Sequence, residues 1–114
     1  MNYQQMAMRT ANPECKDLFN FVLGLTGEAG EVADIIKKHY FQGHELIKDD
    51  LVDEMGDCAW YLALGCEVME ISFDEMLQKN IEKLKKRYPN GFNHQDSLNR
   101  VEYQNDENND EKAR

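Results

Sequence analysis

Between Pro13 and Pro89 the chain contains no proline, and its apolar residues recur there at helical spacing. Proline removes a backbone donor and clashes with the preceding turn, so a long interval without one leaves helices free to run. Leu18, Val22, Leu25, Ala29, Val32 and Ile36 repeat at alternating steps of four and three, which aligns them on one helix face. Leu51, Met55, Cys58, Leu62 and Cys66 form a second such stripe. The expected fold is therefore all-α, a helical bundle of about four helices.

The spacing predicts helices over residues 2–11, 13–39, 48–69 and from Ser72 to the Tyr88-Pro89-Asn90-Gly91 stop. The first ends at Asn12-Pro13, because the residue before proline is pushed out of the helical region. Pro13 then suits the first turn of the second helix. Ser72-Phe73-Asp74-Glu75 has the S-x-x-E capping-box pattern at the start of the fourth, which carries Phe73, Met76, Leu77, Ile81 and Leu84. Residues 1–96 form the expected domain. Residues 97–114 are polar, acidic and rich in Asn, and are expected to be a disordered tail.

Trp60, Ala63 and Leu64 face away from the stripe of the third helix, which makes that helix apolar on two sides. A four-helix monomer would leave one side wet, so a homodimer or homotetramer is expected.

The formal net charge of −9 argues against nucleic acid or an anionic membrane as partner. No run approaches the roughly 18 apolar residues of a membrane span, and the first residues lack the apolar core of a secretory signal. Cys58 and Cys66 sit two turns apart, roughly 12 Å, too far to bridge each other. Without a CxxC, the three cysteines fit a reduced, cytoplasmic protein.

Charge is also patterned. Glu28-x-x-Glu31 and Glu54-x-x-Asp57 each place two carboxylates one turn apart on a helix face. Such like-charge pairs cost a helix roughly 0.2–0.5 kcal/mol each. Single pairs are common on solvated faces, but two pairs on adjacent helices, flanking the apolar stripes, can converge when those helices pack antiparallel. Gly24, Gly27, Gly30 and Gly56 lie in and beside the pairs, and each interior glycine costs about 0.8–1.0 kcal/mol against alanine. Something is expected to approach the backbone closely there. None of His39, His44 and His94 has a glutamate three positions earlier, so the Glu-x-x-His of di-iron bundles is absent. Oxygen ligands alone point to Mg²⁺, with Mn²⁺ as a substitute, rather than iron or zinc. Six acids (Glu45, Asp49, Asp50, Asp53, Glu54, Asp57) face one base, Lys48, between residues 45 and 57. A phosphorylated substrate could approach this surface only as a metal complex.

GLTGEAGEVADIIKK, DLVDEMGDCAWYLA and KNIEKLKKRYPNGF together resemble the MazG-type nucleotide pyrophosphohydrolases of the all-α NTP pyrophosphatase superfamily. That family carries E-x-x-E, a spacer and E-x-x-D; here twenty-two residues separate Glu31 from Glu54. The resemblance implies Mg²⁺-dependent hydrolysis of a nucleoside triphosphate, ribo or deoxy, to the monophosphate and pyrophosphate, as nucleotide-pool house-cleaning. It implies Glu28, Glu31, Glu54 and Asp57 as catalytic metal ligands, and Lys83 and Arg87 near the phosphates. Asn80 and Tyr61 match as substrate contacts. Lys37 and Lys38 could also reach phosphates, although cations are favoured at any helix C-terminus. Two alternatives remain: a phosphoribosyl-ATP pyrophosphohydrolase, and a helical regulatory module that binds metal or nucleotide without turnover.

Overall fold

The computed structural model describes residues 1–100, so residues 101–114 of the expected tail lie outside the described residues. The described chain is helical, with α1 Tyr3–Met8, a 3₁₀ turn Pro13–Cys15, α2 Leu18–Gln42, α3 Lys48–Val68, α4 Phe73–Arg87 and α5 His94–Leu98. It divides into two compact units, Met1–Phe73 and the segment from Asp74 onward.

In the first unit the expected second helix starts late. Pro13 opens only a single 3₁₀ turn, and α2 is nucleated afresh by Asp17, whose carboxylate accepts the Asn20 N–H at 2.7 Å. That side chain satisfies one of the four orphan donors of a helix start. α2 then runs past the expected end to Gly43, whose left-handed backbone (φ 73°) closes it and lets the His44 N–H reach the Lys38 carbonyl at 3.1 Å.

α2 and α3 pack as an antiparallel hairpin whose tightest contacts lie on the flank of the two apolar stripes, while Leu25, Val32, Ile36, Leu51, Cys58 and Leu62 of those stripes are half-buried. A methyl group added at Gly24 would overlap the Tyr61 ring, and one at Gly65 would lie 2.7 Å from the Phe21 ring. The seam therefore runs through glycine–aromatic pairs on the flank of the stripes, where a missing side chain on one helix admits a ring from the other. Leu18 and Val22 of the expected stripe stay 52% exposed and Met55 57%. Gly27, Gly30 and Gly56 have no atom within 4 Å of where a Cβ would stand. Among the described residues, then, close backbone approach explains Gly24 but not those three.

The second apolar side of α3 is not free. α1 covers it: Ala63 (0% exposed) and Leu64 (1%) are buried with Ala7 and Met8, and Trp60 packs against this core. The inference of an oligomer from these three residues thus fails, because the same chain supplies the cover. Gln4, buried on α1, locks the arrangement. Its amide nitrogen donates to Glu67 Oε2 at 3.0 Å and to the Ile71 carbonyl at 3.1 Å, while its oxygen accepts the Phe73 N–H at 2.6 Å. A buried amide with these partners costs nothing in lost hydrogen bonds and specifies where α1 docks.

In the second unit α4 starts one residue after Ser72 and ends before the Tyr88–Gly91 turn, as the sequence pattern requires. Gly91 has φ 85°, and Phe92 tilts against Tyr88 with ring centroids 5.4 Å apart. α5 follows, crossing the expected start of the tail. Asn93 caps it by accepting the Asp96 N–H at 2.7 Å and donating to the Asp96 carboxylate at 2.7 Å. The polar composition had concealed this local, side-chain-driven turn.

Candidate functional site

Above the Gly24–Tyr61 contact, the seam brings acids together. One carboxylate oxygen from each of Glu28, Glu54 and Asp57 lies within 4.8 Å of the others. α2 contributes the first and α3 the other two, and the antiparallel register sets Glu28 opposite the turn that carries Glu54 and Asp57. Glu28 and Glu54 are half-buried and Asp57 is exposed. The Oε2 atom of Glu54 is shielded from solvent and has no hydrogen-bond partner. Sharing a hydrogen bond with Glu28, partial burial, and the charges of Glu28, Asp57 and Asp53 push the Glu54 carboxyl above its ordinary range. Among the described residues, none of the three has a lysine or arginine partner. A half-buried group of carboxylates without a counter-charge is electrostatically costly, and a cation would relieve it.

Glu31, the remaining carboxylate of the two pairs, is exposed one turn along α2 and stands outside this group. Tyr61 lies beside the three clustered carboxylates, lining a cleft of about 300 Å³ with Glu28, Asp57 and Trp60. Lys38 is held elsewhere: its ammonium lies 2.7 Å from Asp34, with Lys37 3.8 Å from the same carboxylate. The hydrogen bond to Asp34 raises the Lys38 ammonium and lowers the Asp34 carboxyl. Asn80, Lys83 and Arg87 belong to α4. Lys83 and Asn80 are exposed, while Arg87 is half-buried with its guanidinium 5.9 Å from the Tyr88 ring centroid.

Two residues of this neighbourhood escaped the sequence pattern. Trp60 looked like an outward-facing apolar residue, yet it lines the cleft. Tyr3 of α1 stands near enough to Asp57 that, after partial burial, this carboxylate further raises its phenol. Tyr3 could not be found without knowing that α1 docks on α3, because α1 lies far from α3 in sequence, whereas Trp60 lies one turn from Asp57 and beside Tyr61 on α3 itself.

The model of the MazG nucleotide pyrophosphohydrolase domain matches residues 19–92, most of the chain. The chain belongs to this family. The match contains all four carboxylates of the E-x-x-E and E-x-x-D pairs, and it leaves α1 outside. A curated relative, the Gene 37 protein of Mycobacterium phage L5, is 36% identical over 73 residues, covering 60% of this chain and 64% of the relative. The chain thus spans less than two thirds of the length of that protein. No solved structure matches the chain significantly. No helix among the described residues is long and apolar enough to cross a membrane.

For a MazG-family chain, the donor set can be tested against the cation the family implies. Three carboxylates, no nitrogen or sulfur donor and a buried, unpartnered oxygen at Glu54 fit a hard divalent ion that binds oxygen.

Proposed function

We propose that the protein is a Mg²⁺-dependent nucleoside triphosphate pyrophosphohydrolase, converting an NTP or dNTP and water to the monophosphate and pyrophosphate. Such a reaction would remove unwanted nucleotides from the pool. The clustering of Glu28, Glu54 and Asp57 on the α2–α3 seam carries this proposal, since it provides the oxygen donors the family's chemistry needs. Those three carboxylates hold the cation. When bound, Mg²⁺ supplies charge neutralisation on the phosphate oxygens and a lowered pKa for water. Glu31, close in sequence but outside the trio, accepts the proton of the attacking water at a carboxylate oxygen. Tyr61, seated in the seam against Gly24, contacts the substrate. Asn80, Lys83 and Arg87 are proposed as further contacts, on the strength of family resemblance alone. Lys38, already paired with Asp34, is the weakest of the sequence-derived candidates.

Hydrolysis in ¹⁸O-labelled water tests the bond that breaks. The label is expected on the monophosphate, with pyrophosphate as co-product and no turnover in EDTA. Label in orthophosphate, with a nucleoside diphosphate as product, overturns the proposal. Lys83→Ala and Arg87→Ala are each expected to lower kcat/KM about tenfold or more, with Lys85→Ala and Lys86→Ala as charge-matched controls that lose little.

Phe19 (80% exposed), Leu23 (70%) and Val22 (52%) lie on α2, where Gly27 and Gly30 also leave open space. This uncovered face supports a homo-oligomer on grounds independent of α3.

A further inference from the structure

The cleft beside the trio joins two unlike chemistries. Glu28 and Asp57 line it with carboxylates, and Trp60 and Tyr61 line it with aromatic rings. The two rings meet at 80° with centroids 5.0 Å apart, a corner rather than a face-to-face stack. The volume of about 300 Å³ sits at the lower end of the range for small-molecule sites.

The polar edge of Trp60 is already committed. Its indole N–H donates to Thr10 Oγ1 at 2.8 Å and to the Ala7 carbonyl at 3.2 Å. Thr10 is itself oriented, because its hydroxyl donates to the same Ala7 carbonyl at 2.6 Å. This small closed network turns the only hydrogen-bonding atom of the indole toward the chain segment that carries α1. What Trp60 offers the cleft is π surface without a donor. A flat, aromatic, weakly polar group suits that surface, next to carboxylates that suit a metal-chelating group.

We propose that Trp60 is the wall against which the nucleobase of the substrate lies, and that Thr10 and the Ala7 carbonyl are its positioning partners. The proposal rests on the pyrophosphohydrolase reading for what occupies the carboxylate end. Because the indole donor is spent, the wall selects molecules that carry an aromatic base over inorganic polyphosphates, and it does so without hydrogen-bond readout of the base at Trp60. Stacking of this kind tolerates every base, since each has a π face. The positioning residues precede the family-matched segment, residues 19–92, so this clamp is built from outside it.

Trp60 is the single tryptophan of the chain, so its emission reports on this ring alone. The full chain is titrated in Mg²⁺ with α,β-methylene-ATP, which cannot be cleaved at the bridging position, and separately with tripolyphosphate. The analogue is expected to quench Trp60 emission saturably, and tripolyphosphate to leave it unchanged. In turnover assays Trp60→Leu is expected to raise KM about tenfold with kcat changed less than about threefold, while Trp60→Phe, which keeps a π face but loses the positioning hydrogen bonds, is expected to raise KM by less than Trp60→Leu and about as much as Thr10→Val. Thr10→Val is expected to shift the emission maximum of the free protein and raise KM without lowering kcat. Equal quenching by both probes, or by neither, overturns the proposal, as does an unchanged KM in Trp60→Leu. If circular dichroism shows that Trp60→Leu does not fold, the native titration and Trp60→Phe decide. Pyrophosphate release without any change in emission removes the base wall and leaves the reaction standing. Quenching specific to the analogue, without pyrophosphate release, removes the reaction and leaves the wall.

Discussion

Glu54 concentrates the electrostatic cost of the site in one side chain. Its carboxyl is raised by the hydrogen bond with Glu28, by partial burial and by nearby acids. In the metal-free protein the folded state therefore holds this proton at pH values where the unfolded chain has released it. Stability linked to Glu54 is then fully present below the ordinary carboxylate range and is lost as pH rises through the raised folded value. Thermal melts in EDTA are expected to show Glu54→Gln gaining on the native protein as pH rises through that window. A difference that is flat with pH would mean that Glu54 feels no such neighbours. The same geometry separates Asp57 from Glu31, which the sequence motifs treat alike. Asp57→Asn removes one of three clustered donors and is expected to weaken Mg²⁺ binding measured by calorimetry. Glu31→Gln lies outside the cluster and is expected to leave Mg²⁺ affinity nearly intact while lowering kcat about a hundredfold or more, the range for a lost general base. If both variants lose affinity equally, Glu31 is a fourth ligand.

At the scale of elements, the helices were legible because proline absence and 4-3 spacing act locally, within a few turns. Their mutual orientation was only half legible. The stripe residues are the most apolar, but hydrophobicity alone does not choose a seam. The chain chose Gly24 against Tyr61 and Gly65 against Phe21, where shape allows the closest approach. The register of these pairs sets Glu28 opposite the turn that carries Glu54 and Asp57, so three carboxylates converge, while Glu31 stands exposed one turn along α2. The docking of α1 was not legible at all, since it depends on Gln4 meeting Glu67, Ile71 and Phe73 from the far end of the unit. Two glycine substitutions test the seam. Gly24→Ala improves helix propensity, yet it is expected to lower stability by about 1–3 kcal/mol through overlap with Tyr61. Gly56→Ala meets nothing within 4 Å and is expected to raise stability by about 0.4–1 kcal/mol through the unfolded chain. Chemical denaturation of the two variants should give opposite signs. A third change acts on the turn after α3, where Glu70 is held at φ 59°. Left-handed backbone is costly for a residue with a Cβ, so Glu70→Gly is expected to stabilise the turn modestly.

The whole molecule carries a charge of −9, and among the described residues many large apolar side chains are exposed. Scattered singly, such residues would need no explanation. On α2, however, Phe19, Val22 and Leu23 follow one another within two turns, and Gly27 and Gly30 continue open space along the same helix. Large residues beside gaps left by glycine resemble the Phe21–Gly65 and Tyr61–Gly24 pairs that already hold α2 to α3. A second copy of the chain would offer the same large and small residues, so a two-fold pairing of α2 helices is self-complementary. Net repulsion between two acidic chains opposes this contact, and salt screens that repulsion. The native protein is therefore expected to sediment as a dimer or tetramer at micromolar concentration, more completely at high salt. Leu23→Glu places a charge on a side chain already 70% exposed in the single chain, so it is expected to shift the species toward monomer while helix content is unchanged. A native protein that sediments as a monomer under both salt conditions, or a Leu23→Glu variant that assembles as before, would show that this face of α2 is simply solvated.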